Sequence, residues 1–479
     1  MLYSRFASLL LLPALAGPVL AADLHVSLLG NDTNPGTASA PFRTIQRAVN
    51  AAMPGDTVRV GAGYFDETVR TARNASDSAR ITLDGQGVAR VRQVMLQHTH
   101  HSLQNITVSG LAQQFSNLVF VRRGAHSSII SNTVVDAASA LQVGGIFWEG
   151  PTTRPFGTDA ASNCLVISNR ITGILANTAL HIMGDNNLVV GNYVHDVGQA
   201  DFVRLWGQAN IIRGNTFTNN FPVPGVGNHI DFIQTFGNNR FGSQDHIIEG
   251  NRVLRIRSGQ LTQLEGNLVP EIRNWTFRNN VFADIDLQAS CTIPGVKYYN
   301  NVFYRCNSTV NAGAALNFGS RSYNLSNNWV EGTNRAHGAQ VLNNIFLDCG
   351  QDSLNQGHYG FGLELENVRA DYNFISKAGF QALREDTSAR AIGDPGGWDN
   401  FRWYEPNGYN GGNPGFINAA AYDFRPSPDS PLLGRALRLP GFSHDIVGAL
   451  RQSAGPWDIG PYRALGARPT PPQNLVVIP

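Results

Sequence analysis

A short phrase recurs at least ten times along this chain: an apolar residue, a small or polar one, Asn, then an apolar pair. It reads LQNITV at Asn105, ISNTVV at Asn132, ISNRIT at Asn169, VGNYVH at Asn192 and RGNTFT at Asn215. It continues as EGNRVL at Asn251, RNNVFA at Asn280, YNNVFY at Asn301, SNNWVE at Asn328 and LNNIFL at Asn344. Most steps are 21 to 37 residues, the length of one coil of a solenoid. An Asn at the same corner of every coil can stack on its copies, each amide bonding the next. The flanking Val, Ile and Phe then enter one continuous core.

The composition agrees with a stack. A chain of 479 residues exceeds one ordinary globular core but suits a structure in which each repeat touches only its neighbours. Fifty Gly, with only 15% charged residues, fit short strands joined by tight bends. The net charge of +1 sets up no global field toward nucleic acid or a membrane surface. Lys occurs only at 297 and 377, so cationic chemistry falls mainly to Arg and His.

Residues 1–22 read as a signal peptide, with Arg5, the apolar run LLLLPALAGPVL and the small-residue end VLAA. The expected location is secreted or periplasmic, with no membrane span. Export permits disulfides, and Cys164, Cys291, Cys306 and Cys349 allow three pairings. Cys306 and Cys349 each follow a repeated Asn by five residues. A full coil between them would put them ~9–10 Å apart, beyond bridging distance. Cys291 with Cys306 is the better candidate pair, and buried free thiols are an equal alternative.

Residues 23–79 form an expected N-terminal cap and first rung. Phe42, Ile45, Ala48, Val49 and Ala52 give one apolar helix face, and Pro54-Gly55 stops the helix. Residues 80–412 carry the strand-and-bend pattern, 413–465 a Pro-rich closing segment and 466–479 a loose tail. This organisation resembles that of bacterial right-handed parallel β-helix proteins of the pectate-lyase-like superfamily. The resemblance implies an all-β, single-domain right-handed parallel β-helix. It would carry an N-terminal amphipathic capping helix and an irregular C-terminal cap sealing the last coil.

Four strands align on a closing Gly: ALHIMG at Gly184, FVRLWG at Gly207, FIQTFG at Gly237 and LTQLEG at Gly266. Period-2 alternation sends Ile182, Leu205, Thr235 and Leu264 inward, with Leu180, Val203, Ile233 and Thr262. The outward columns then read His181, Arg204, Gln234, Gln263 and Met183, Trp206, Phe236, Glu265, with Glu149 of GGIFWEG as an addition. Rungs lie ~4.8 Å apart, near the rise of a sugar along an extended glycan, so this flank suits a polysaccharide.

Asp201 and Asp231 fall at equivalent places, and NHIDFIQ brings His229, Asp231 and Gln234 to one strand entrance. Asp201 and Asp231 share parity with the inward residues, which also fits bend-forming roles. His195-Asp196 occupies a routine turn position, and HTHH (98–101) is a His-rich bend without a second ligand cluster. Glu364 and Glu366 share one face, where Ca²⁺ could bind. The sequence requires no cofactor.

The family resemblance implies β-elimination on a uronic-acid glycan. Arg204 would neutralise the carboxylate, His229 or His181 would be the base, and Asp231 would orient His229. The paired strands ADFVRLWG and IDFIQTFG also resemble those of alginate-lyase and chondroitinase-B-like enzymes. Here Gln234 and Thr235 occupy the second strand and no Lys is near, so the Lys-base, calcium-assisted mechanism is not carried over. The alternatives are a glycoside hydrolase using Asp201 with Asp231 or Asp231 with Glu265, a non-catalytic glycan-binding solenoid, and a C5-epimerase. The expected partner is an anionic polysaccharide, bound by a monomer or small homo-oligomer.

Overall fold

The computed structural model describes residues 21–110, 117–143, 161–221, 230–236, 242–266, 272–287, 289–307, 314–321, 334–350, 359–361, 365–376, 405, 407–410 and 412–464. The repeated phrase builds its coils through one backbone angle. The residue before each ladder Asn turns into the left-handed region, as at Ser131, Ser168, Gly191, Gly214, Gly250, Asn279, Asn300 and Asn343, with φ between 52° and 64°. Gly and Asn tolerate that conformation best, which explains the small or polar residue in the phrase.

The next residue, Asn, points inward and stacks. Both the backbone N–H and Nδ2 of Asn169 donate to Oδ1 of Asn192 at 2.9 Å. Nδ2 also donates to the carbonyl of Ile129 at 2.8 Å. The ladder runs through Asn132, Asn169, Asn192, Asn215, Asn251, Asn280, Asn301 and Asn344 to Asn373, all essentially buried. It ends on Glu405, whose buried carboxylate accepts both donors of Asn373 at 2.9 and 2.7 Å. Every buried polar atom at this corner thus meets a partner, which a dry interior demands.

Two positions differ from expectation. Asn105 is not a rung of the ladder: Gln104 pairs with Ile130, so Ile106 stands opposite Asn132, and Asn105 itself takes the left-handed corner. Asn373, in DYNFIS, extends the ladder beyond Asn344. Asn328 lies outside the described residues.

The strands of the two long sheets pair in parallel, and two short antiparallel pairs, Ser320–Arg321 with Asn334–Arg335 and Phe416–Asn418 with Asp423–Pro426, lie outside them. One 13-stranded sheet begins at Asp23–Val26 and ends at Arg369–Asp371. The other two flanks join into a larger sheet, because Arg170–Met183, Tyr193–Gln208 and Arg252–Glu265 each run through a corner. Between the flanks the core side chains also stack in columns. The rings of Phe282, Phe303 and Phe346 follow one another at 5.2 and 4.8 Å. This is the all-β parallel β-helix anticipated above.

The helix Ile45–Ala51 lies over the first rungs with Phe42, Ile45, Ala48, Val49 and Ala52 all buried. Glu67 accepts the free N–H groups of Ile45 and Gln46 at 3.0 Å, and Thr44 caps Arg47 N. The closing segment behaves differently from a simple seal on the last coil. It lies along the side of the stack, with Phe424, Leu432 and Trp457 in one cluster with Val281, Val302, Ile345 and Phe374. The left-handed asparagines anchor it: Asn279, Asn300 and Asn343 donate to the carbonyls of His444, Gly460 and Leu437.

All four cysteines are free and buried, so the Cys291–Cys306 pair does not form. The two belong to different flanks: Cys291 pairs with Leu264, and Cys306 with Ile285. Cys306 and Cys349 follow directly paired strands and so sit one rung apart, not two. Burial first, then the neighbouring Cys349 thiol, pushes the Cys306 thiol well above the usual range.

Candidate active site

The outward column lies in register. Gln142 pairs with His181, His181 with Arg204, Arg204 with Gln234, Gln234 with Gln263, and Gln263 with Ser290. The residues alternating with it, Leu180, Ile182, Val203, Leu205, Ile233, Thr235, Thr262 and Leu264, are all buried. Strand parity therefore forces the four polar side chains onto one outer flank.

Beside this column runs an apolar one. Met183 pairs with Trp206 and Phe236 with Glu265. The indole sits 5.2 Å from the His181 ring and 5.1 Å, edge-on, from Phe236. Its Nε1 donates to the carbonyl of Phe236 at 3.1 Å, which locks the ring. Glu265 accepts from Nε2 of Gln263 at 3.0 Å.

On the other side, Thr178 pairs with Asp201, and Asp231 with Gln260. Here strict alternation fails. Phe202 and Val203 are consecutive core residues, as are Phe232 and Ile233, because the strand turns a corner between them. Parity flips at that point. Asp201 consequently shares the outer face with Arg204 and bonds it, with Nε to Oδ2 at 2.6 Å. Its Oδ1 accepts the backbone N–H of Asp231 at 2.9 Å. Asp201 thus orders the arginine as well as the next rung.

Arg204 is held twice. Nη1 donates to Oδ1 of Asn177 at 2.9 Å, a residue that sequence reasoning passed over. Asn177 sits in the left-handed region at φ 74°, and its place within a strand was the available signal. Nη2 makes no hydrogen bond among the described residues, and the side chain is 25% exposed. The guanidinium is oriented with one edge left for a ligand.

The electrostatics favour a neutral imidazole beside a fixed cation. Desolvation first, then the Arg204 charge, pushes His181 down to about 3. Its Nε2 has no hydrogen-bond partner among the described residues. Burial, assisted by Asp231, pushes Asp201 up to about 6 against the opposing pull of Arg204. His229 and Glu149, predicted for this site, lie outside the described residues. Lys297 is in the 13-stranded sheet, away from this flank.

Comparison with known proteins agrees with this architecture. A family model described as "Protein of unknown function (DUF1565)" matches residues 28–73, the capping helix and first strands. Pectate lyase Pel9A superposes with a TM-score of 0.51 at 14% identity, covering 93% of this chain and 97% of its own. The chain has the pectate-lyase-like parallel β-helix fold. Among sequence relatives, the uncharacterized protein YwoF of Bacillus subtilis is 32% identical over 101 residues, 19% of this chain and 22% of its own. Pectate lyase PEL9 of Emericella nidulans is 38% identical over 72 residues, 15% of this chain and 18% of its own. The chain spans about a fifth of the length of these relatives.

Proposed function

We propose that the protein is a secreted or periplasmic polysaccharide lyase that cleaves a uronic-acid-containing glycan by β-elimination. The observation that carries this reading is Arg204, oriented by Asp201 and Asn177 with its free edge on the glycan-length column. A uronate carboxylate on that edge would be neutralised, which acidifies the adjacent C5 proton. His181, one rung away, would be the base once the bound uronate raises it from the low value that burial imposes, and the glycosidic oxygen would leave with a proton from solvent. Trp206 and Met183, both buried, would back the His181 ring.

Two features of this flank favour a mechanism without calcium, and the chelator arm of the test below decides it. Both Asp201 oxygens are occupied, by Arg204 and by the Asp231 N–H, and Asp231 is fully buried. The same burial weighs against a hydrolase using Asp201 and Asp231.

The test is a panel of uronic-acid and neutral polysaccharides, with and without chelator. Product absorbing in the near ultraviolet, lost in Arg204→Ala, is the expected outcome. New reducing ends without that absorbance would replace elimination by hydrolysis. Binding without product would make the flank a glycan-binding surface, and altered C5 configuration an epimerase site.

A further inference from the structure

The bend HTHH shows no partner cluster in the sequence, yet the fold brings one to it. Its histidines divide by role. Nδ1 of His98 bonds Thr71 Oγ1 at 2.9 Å, and Nε2 of buried His101 bonds the carbonyl of Arg73 at 2.8 Å. His100 takes the left-handed corner, at φ 61°. Ser102 pairs with Ser128, so the residue stacked on His100 in the next rung is His126, itself at φ 59°. Their rings lie parallel, with centroids 4.7 Å apart.

A carboxylate completes the group. Asp77, in the segment between the strands Gly63–Arg70 and Ile81–Asp84, places Oδ1 3.6 Å from Nε2 of His100. One donor atom from each of Asp77, His100 and His126 falls within 4.8 Å of the others. Arg80 braces the arrangement, donating to Asp77 Oδ1 at 2.9 Å and to the carbonyl of His126. Metal-bound carboxylates commonly carry such an outer hydrogen bond.

We infer that Asp77, His100 and His126 form a surface site for a borderline divalent transition metal such as Zn²⁺, with water completing the tetrahedron. Two imidazoles and one carboxylate select Zn²⁺-type ions over Ca²⁺ and Mg²⁺, which prefer oxygen. The donors would close by about 1–2 Å to reach bonding separations. The two imidazoles, parallel with centroids 4.7 Å apart, would tilt toward each other, and exposed Asp77 would close on both. The ion would tie the segment before Ile81 to two successive corners. It lies three rungs ahead of the Arg204 corner, along the column His126, Asn163, Asn186, Ala209.

The same column supplies the test. Asn163 and Asn186 occupy this left-handed corner in neighbouring rungs, so His100→Asn and His126→Asn keep the fold while removing imidazole. The full chain without an affinity tag would be titrated with Zn²⁺ in competition with a colorimetric chelator, circular dichroism confirming that each variant is folded. The expected result is one tight Zn²⁺ in the parent, weakened at least tenfold in each Asn variant and several-fold in Asp77→Asn. Excess Mg²⁺ should not compete, and Zn²⁺ should raise the melting temperature of the parent but not of the double variant. Equal Zn²⁺ affinity in parent and folded double variant would overturn the site, as would a parent that takes up no Zn²⁺ at millimolar concentration.

Discussion

Asp201 bonds Arg204 through one carboxylate oxygen at 2.6 Å and the backbone of Asp231 through the other at 2.9 Å. One side chain therefore sets both the aim of the cation and the seating of the next rung. Asp201→Asn should keep the Oδ1 contact and lose the charge that holds Arg204. Turnover on an anionic glycan is expected to fall at least tenfold, with KM changed less. Unchanged turnover would remove Asp201 as the residue that positions Arg204.

Arg204 itself should be harder to replace. Arg204→Ala is expected to lower kcat/KM by about a hundredfold or more, in the range of a lost charge-assisted bond (about 3 kcal/mol). Arg204→Lys should recover only part, because an ammonium cannot span Asp201 and Asn177 while presenting a third edge. Full activity in the Lys variant would show that charge alone suffices.

The Asn ladder makes a stability prediction independent of activity. Asn215 accepts the N–H and Nδ2 of Asn192 and donates to Asn251 and to the carbonyl of Val189. Asn215→Ala strands several of these groups in a dry core, so a loss of about 2–4 kcal/mol is expected. Asn105→Ala, outside the ladder, should cost less than half as much in chemical denaturation. Equal costs would mean that the stacked amides contribute nothing special.

How far these features were legible depends on what each one needs. The ladder and the outward column could be read because both obey a fixed local phrase, and alternation then does the placing. Asn105 was misplaced because LQNITV has the same letters, and only the pairing of Gln104 with Ile130 shows the offset by one residue. The orientation of Asp201 was hidden by the corner at Phe202-Val203, where two apolar neighbours both face the core. Cys306 and Cys349 were set a rung too far apart because the 43-residue step from Asn301 to Asn344 is one coil, not two. The meeting of Asp77, His100 and His126 had no phrase at all. It arises from stacking across rungs, which composition does not reveal.

Trp206 should act through packing. Its buried ring is locked by the Phe236 carbonyl and packs against Met183, His181 and Phe236, so it holds the His181 side chain in place. Trp206→Ala is expected to cost about 3 kcal/mol of stability in chemical denaturation, the range for an emptied core site. A variant as stable as the parent would show that the ring packs against nothing that matters to the fold.

The pH response follows from four buried groups whose shifts oppose one another. Desolvation pushes His181 and His246 down to about 3 and His101 to about 4. Between those values and 6.5 the unfolded chain binds protons that the fold refuses, so stability is fully present above 6.5 and is lost as pH falls. Asp201, raised to about 6 from 3.8, binds its proton more readily in the fold, so its term weakens stability as pH rises through that window. Three histidines against one carboxyl leave a net loss toward acid. His246 isolates the effect, because its Nδ1 accepts the N–H of Asn210 just as Asn210 accepts that of Asn187. His246→Asn can keep that bond without a titrating ring, so its urea midpoint should fall less than the parent's between pH 7 and pH 5. Parallel curves for the two proteins would show that His246 is not charged on unfolding in this range, and the acid sensitivity would then have to come from elsewhere.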